Sequence, residues 1–334
     1  MLSLSEIPMK SGNRNPEYSF GGEIKARLVG FKAFLQDLGS DKNTIRQKSN
    51  YAGYYLRWLA SERLQVTDAR YNDLLSFIDY CRLEGNSTGH INTKLRSIRA
   101  YYEYLKKMGS VTINPAANLY LKGTSHKVVS GIIDFKALEN LYQAYPIETL
   151  RQKRNKIILG LLIYQGLNTE DLGRLTTGNV KLREGKIHVP GDRRRGSRNM
   201  ELRSFQVLEL HEYLTVVRPE ILKEIDKPKP ARRPDRINSE RLRDQLFISI
   251  NGSENIKNSL FHMFREIKKI NPIIISAIKI RQSVITYWLR TMNLRQVQYM
   301  AGHKYVSSTE RYQRSNLENL QNKLEKYHPL SRRN

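Results

Sequence analysis

The sequence predicts a mainly α-helical chain with one small antiparallel β-sheet, an α+β class, in two domains, on three observations. Apolar residues recur at helical spacing over most of the chain from residue 22 onward. A basic, Gly/Ser-containing stretch of weak periodicity, KGTSHKVVSG, separates two such regions. One alternating run, KIHVPG, leads through an Arg-rich turn into a second strand, so a sheet of a few strands is expected there. At 334 residues and 39% apolar content the chain can bury a sizeable core and suits two domains better than one.

Residues 1–21 are polar, Gly-rich and without apolar period, and read as a mobile arm. Residues 22–121 hold four amphipathic helices. In the last of them Ile91, Leu95, Ile98, Tyr102 and Leu105 form one apolar stripe, which leaves Asn92, Arg96 and Arg99 on another face. In the second, Ile45, Ala52, Tyr55, Leu56 and Leu59 point inward while Arg46, Gln47 and Asn50 point out. Both polar faces can track a phosphate backbone, or can simply be solvated. NPAANL ends the region, residues 122–131 form the linker, and residues 132–334 the second domain. There FKALENLYQAY and RNKIILGLLIYQGL are helices, the latter apolar almost all round and therefore central. The Pro-rich part from Lys227 to Asn238 is expected to be an exposed loop. Helices resume with SLFHMFREIKKI, AIKIRQSVITYWLRTM, LRQVQYMAG, a short piece around Ser307 to Arg314, and NLENLQNKLEKY.

Fifty-seven Lys and Arg against 32 Asp and Glu give a net charge of +25, a field that favours a polyanion, with nucleic acid foremost. The longest apolar run, Ile157 to Tyr164, is far short of the ~20 residues a membrane span needs, so no membrane partner is expected. The N-terminus has no export signal, which points to a cytoplasmic protein. A single cysteine, Cys81, excludes intramolecular disulfides and reads as a packing residue. No metal-ligand or phosphate-loop motif is present, so no metal and no cofactor is expected.

Two segments carry residues for chemistry. In AIKIRQSVITYWLRTM an apolar stripe of Ile278, Ile285, Leu289 and Met292 contains Arg281, a guanidinium that is costly there unless paired with a local carboxylate or with an external anion. In AGHKYVSSTERYQR, His303 precedes Tyr312 by nine positions, across a turn and a short helix.

From about residue 22 onward the sequence resembles the tyrosine recombinase (phage integrase) family. Arg281, Gly302-His303 and Tyr312 match in order and spacing its second Arg box, Gly-His pair and nucleophilic tyrosine. QGLNTEDLGRLTTGNVKLREGKIHVPG matches without a gap its first box, helix and opening hairpin strand, and INTKLRSIRAYYEYL with NPAANL looks like its core-binding domain. The resemblance implies a helical core-binding domain followed by a catalytic domain. It implies that the tyrosine attacks a scissile DNA phosphate, giving a 3′-phosphotyrosine and a free 5′-hydroxyl without ATP or metal, and that Arg and His donors stabilise the phosphate. It implies a homotetramer acting on two duplexes of double-stranded DNA, DNA-bending accessory proteins, and integration, excision or transposition of a mobile element in a bacterial, nucleoid-associated setting.

The departures from the family pattern are specific. Asn168 stands where the family has its first Arg, Ile278 where it has a His, and Asp192 at the position of the hairpin Lys, followed by Arg193, Arg194 and Arg195. Asn168 either caps the helix starting near Thr169 or contacts phosphate. Four arginines between Arg193 and Arg198 without an intervening carboxylate favour phosphate contact over a solvated turn. The set is therefore read as catalytic Tyr312, Arg281, His303, Arg193, Arg194, Arg195 and Asn168, with Arg46, Gln47, Asn50, Asn92, Arg96, Arg99 and Arg198 on DNA. The alternative is a DNA-binding accessory protein of the same fold with weak or no cleavage.

Overall fold

The computed structural model describes residues 21–123, 131–227, 239–250, 252, 256–274 and 276–313. The N-terminal arm to residue 20, most of the linker, the Pro-rich loop and the C-terminal NLENLQNKLEKY helix lie outside them. The chain divides into two compact units between residues 126 and 127.

The first unit is all helical: α1 (Gly22–Asp37), α2 (Lys42–Ser61), α3 (Tyr71–Leu83) and α4 (Thr88–Lys107). Asp41 starts α2 by accepting the Asn43 and Thr44 N–H groups, both at 3.0 Å, and Ser87 starts α4 by accepting from His90 N. The two expected stripes of α2 and α4 are buried and face one another around Phe31, Phe77 and Cys81. Tyr55 and Tyr102 keep their hydroxyls inside by bonding each other at 2.9 Å, with Tyr102 donating to the Val66 carbonyl. Truncating an enclosed aromatic such as Phe77 to Ala would cost about 3–5 kcal/mol. Lys94 is also buried, over the Tyr54 ring at 3.9 Å and 3.6 Å from the Cys81 sulfur.

The second unit runs α5 (Phe135–Ala144), α6 (Leu150–Tyr164), α7 (Thr169–Arg174), β1 (Val180–Lys181), β2 (Lys186–Val189), β3 (Arg198–Glu201), α8 (Ser204–Glu212), α9 (Arg218–Asp226), α10 (Ser239–Asp244), α11 (Ile256–Ile270), α12 (Ala277–Thr291) and α13 (Leu294–Ala301), then a helical turn over 307–313. The expected class, mostly helix with one small antiparallel sheet, is the class observed, the sheet having order β1-β2-β3. Its register pairs Ile187 with Met200 and Val189 with Arg198, and Ile187, Val189 and Met200 are buried on one face as the alternation requires. α6 is central, with Ile157 through Ile163 enclosed.

The stripe read for α12 is corrected in one respect. Ile278 is 68% exposed and Met292 38%, while the buried face runs through Ile280, Arg281, Val284, Ile285 and Trp288. Apolar residues lie on two overlapping faces of this helix, and packing against α6 selects the one carrying Arg281.

Candidate active site

The site is assembled from α7, the β2–β3 hairpin, α12, the turn after α13 and the 307–313 helix. Arg281 points into the protein from α12 and is 8% exposed. Its Nη1 donates to the Gly166 carbonyl and its Nη2 to the Ala301 carbonyl, which fixes the guanidinium plane between the start of the first box and the end of α13. The sequence left its partner open between a carboxylate and an external anion. The partners observed within the protein are carbonyls, which leave the positive charge unneutralised. Burial lowers its pKa to about 10, so the group stays charged near neutrality.

The same Nη2 lies 3.4 Å from His303 Nε2, and His303 Nδ1 lies 2.9 Å from Thr309 Oγ1. Arg281 can only donate, so Nε2 carries the lone pair and Nδ1–H donates to Thr309. Burial, joined by Arg281, Arg198, Arg195 and Arg311, lowers the His303 pKa to about 4, and the ring is neutral near pH 7. The Tyr312 ring stacks on it, with centroids 6.0 Å apart and planes at 16°. Burial raises the Tyr312 pKa against the pull of Arg281 and Arg311, so the phenol is protonated at neutral pH.

Gly302 makes this turn possible. It ends α13 with φ +66°, and a Cβ there would stand 2.4 Å from Arg198 Nη1. Gly191 is required for a different reason: a Cβ would meet Ser197 N at 2.7 Å where the hairpin strands close.

Asn168 is the N-cap of α7. Its Oδ1 accepts the Glu170 and Asp171 N–H groups, both at 2.9 Å, and its Nδ2 donates to Asp171 Oδ2 at 2.9 Å. Of the arginines on the hairpin, Arg193 and Arg194 are exposed at its tip, across the Asp192–Arg195 turn. Arg195 turns inward. Its backbone bridges to His303, and its side chain, 17% exposed, pairs with Glu170 at 2.7 Å and Asp192 at 3.3 Å. Arg198, expected on DNA, is instead fully buried against Asp171 Oδ2 at 2.8 Å, because its β3 position points it behind Gly302. Burial opposes the charge of Asp192, yet the Arg194 N–H and the Arg174 and Arg195 guanidinia outweigh it and hold that carboxyl below its usual range.

Asp171 is not singled out by the sequence itself. It is wholly enclosed and gathers Arg174 at 2.7 Å, Arg198 at 2.8 Å and Arg195 at 3.6 Å. Only its position next to the first box could have drawn attention to it. Thr309, also buried, was missed for want of any local signal. Between the hairpin and α13 a cleft of about 380 Å³ is lined by Asp192, Arg195, Ser197, Arg295, His303 and Lys304 among others, three cations and one carboxylate beside the His303 ring. Among the described residues no three His, Cys, Asp or Glu side chains cluster as metal ligands, and no helix is long and apolar enough to cross a membrane.

In the first unit Arg46, Gln47 and Arg96 are exposed and Asn50 is half-buried, as a surface role needs. Asn92 and Arg99 depart from that expectation. Asn92 is 2% exposed and clasps the Leu121 backbone through both its amide atoms at 2.9 Å. Arg99 donates to the Ala116 and Leu119 carbonyls, both at 3.0 Å, so these two side chains fasten the end of the unit to α4.

Solved structures with the same fold include XerH site-specific recombinase bound to palindromic difH substrate, a post-cleavage complex (TM-score 0.64, 15% identity, 90% of this chain and 96% of that one). Another is the Tn1549 transposon integrase in complex with transposon right end DNA (TM-score 0.60, 17% identity, 88% and 99% covered). By sequence the chain is similar to tyrosine recombinase XerC of Oceanobacillus iheyensis, 25% identical over 316 residues, spanning 90% of this chain and 96% of that one. It is also similar to tyrosine recombinase XerD of Shewanella oneidensis, 25% identical over 307 residues, with 89% and 95% covered. Residues 132–319, more than half of the chain and the whole of the site just described, match the Phage integrase family, and the protein belongs to that family.

Proposed function

We propose that the protein is a site-specific DNA recombinase whose strand-cleaving nucleophile is the Tyr312 hydroxyl. The observation that carries this reading is the convergence of Arg281, His303 and Tyr312 from three separate elements, with Arg281 3.4 Å from the His303 ring and the Tyr312 ring stacked on it. Arg174, Arg195, Arg198, Arg281 and Arg311 outnumber the carboxylates of Glu170, Asp171 and Asp192 among them, an excess of positive charge that suits a phosphodiester.

In this reading the non-bridging phosphate oxygens take donors from Arg281 and from Arg195, which serves in place of the first Arg. Tyr312 Oη forms the bond to phosphorus while the bond to the 5′ oxygen breaks, leaving a 3′-phosphotyrosine and a 5′-hydroxyl. Neutral His303 accepts the phenolic proton at Nε2, the ring nitrogen that carries the lone pair. The leaving oxygen takes its proton from water, since neither Asp192 nor a guanidinium is an acid near pH 7. The 5′-hydroxyl of a second strand reverses the step to complete exchange. The reading extends to four protomers acting on two duplexes, in the cytoplasm, with a mobile element as the cargo; similarity to a tyrosine recombinase and to an integrase bound to transposon right end DNA supports DNA recombination and such a cargo.

The test is incubation of the purified chain with nicked DNA carrying its site. A covalent protein–DNA adduct is expected, and Tyr312→Phe should abolish it while keeping DNA affinity. An adduct that persists, or maps to Tyr299 or Tyr305, would remove Tyr312 from this role. A second reading, a DNA-binding relative with reduced cleavage, is favoured by Asn168, whose side chain is spent on its cap, and by the exposed, apolar Ile278. Absence of any adduct with the parent chain would select it.

A further inference from the structure

Arg198 is the hairpin arginine that solvent does not reach. Its side chain is fully enclosed, its Nη2 donates to Asp171, and its Nε and Nη1 have no hydrogen-bond partner. A buried guanidinium with two unmet donors is costly, and such a group calls for an explanation in function or in the support of a strained neighbour. Two contacts supply one. The guanidinium lies directly against the turn that presents His303: a Cβ on Gly302 would stand 2.4 Å from its Nη1 and 2.9 Å from its Cζ. Its ion-pair partner, Asp171, is the same buried carboxylate that faces Arg195 at 3.6 Å, so one acid aligns the internal arginine and the one at the cleft.

We propose that Arg198 is a positioning residue: seated on Asp171 beneath Gly302, it holds the His303 imidazole in the placement that receives the tyrosine's proton. The proposal rests on the reading of His303 and Tyr312 as the cleaving pair. Its charge acts in the same direction as its bulk. The groups facing His303 are Arg281 from α12, Arg198 from β3, Arg195 from the hairpin turn, Arg311 and the stacked Tyr312 from the 307–313 helix, and the Thr309 hydroxyl. Four of these are cations that disfavour the imidazolium and keep the ring able to accept a proton.

The experiment compares the full-length parent with Arg198→Met and Arg198→Lys in three measurements: histidine NMR titration of the free protein, DNA affinity, and single-turnover cleavage of nicked DNA. For Arg198→Met, with a cooperative melt as the check on folding, His303 should titrate about one pH unit higher. Cleavage should fall at least about tenfold at saturating protein, with affinity within about twofold. Arg198→Lys keeps the charge and loses the planar fork, so its titration should stay near the parent's and its cleavage should recover in part. A folded Arg198→Met whose His303 titration and cleavage match the parent's overturns the proposal. So does an equal loss of cleavage in both variants with His303 titrating unchanged, since that is a purely structural effect. Should Arg198→Met fail to fold, Arg198→Lys decides: full parental cleavage sinks the fork's positioning role, and partial cleavage at unchanged affinity supports it. A parent chain that gives no adduct removes the recombinase reading, while the titration on free protein still reports whether Arg198 governs His303.

Discussion

The His303 ring makes stability depend on pH in a way that can be signed. Its folded pKa is about 4 against an ordinary value of 6.5, so between those limits the unfolded chain binds the extra proton and the folded one does not. Stability contributed by the neutral ring is therefore present above about pH 6.5 and lost as pH falls toward 4, by at most about 1.4 kcal/mol per unit. Seven histidines share the chain, so the contribution is isolated by difference: urea unfolding of parent and His303→Gln at pH 7, 6 and 5 should show a shallower decline in the variant. Equal declines would mean that His303 protonates freely in the fold. At this scale the sequence singles out Arg281, His303 and Tyr312 by an order and spacing that resemble the family's, and the structure brings the three side chains together. The sequence did not disclose what Arg198 or Asp171 does. The run from Arg193 to Arg198 reads as unbalanced charge, yet Arg195 and Arg198 find carboxylates on α7, more than 20 residues earlier, and Arg195 a further one in Asp192.

Among the elements, α2 and α4 were legible because one face of each is apolar and the other is not. In α12 both faces carry isoleucines, and periodicity alone placed Ile278 inside when it is exposed. The five-residue π segment Tyr213–Val217 between α8 and α9 left no trace in the sequence pattern, since its residues suit an ordinary helix equally well. The start of α7 raises a sharper question, because Asn168 stands at the first-Arg position and is engaged as a cap. If Arg195 has taken over the phosphate, Arg195→Ala should reduce cleavage by at least about tenfold with little change in affinity, and Asn168→Arg should bring no gain while losing the cap at a cost of about 1 kcal/mol. Alanine at Arg193 or Arg194, exposed at the hairpin tip, should alter affinity alone. A rise in cleavage on Asn168→Arg, with Arg195→Ala affecting affinity only, would instead mark a decayed site. Single-turnover assays of these variants on one nicked substrate separate the two outcomes.

For the molecule as a whole the governing quantity is its net charge of +25. A protein that neutralises phosphates releases their condensed counterions, so log K for DNA should fall by about 0.9 for each phosphate contact per log unit of salt. The charge by itself does not identify the contacts, and the structure divides the expected ones by what their side chains already do. Arg46 and Arg96 are exposed, whereas Arg99 is committed to the Ala116 and Leu119 carbonyls and Asn92 to the Leu121 backbone. Arg46→Ala and Arg96→Ala should therefore each flatten the salt slope by about one contact and weaken binding to every DNA sequence alike. Arg99→Ala should leave the slope unchanged and destabilise the first unit, since the Leu119 carbonyl loses its donor at about 1–3 kcal/mol while the Ala116 carbonyl keeps the Leu119 N–H. Fluorescence anisotropy with labelled duplex between 50 and 200 mM salt (an interval of about 0.6 log units) measures the slopes, and urea unfolding measures the stability. A parent slope near zero would remove DNA as the partner of this charge, and a slope that changes with Arg99 but not with Arg46 or Arg96 would move the interface to Arg99 and the 116–119 segment it holds.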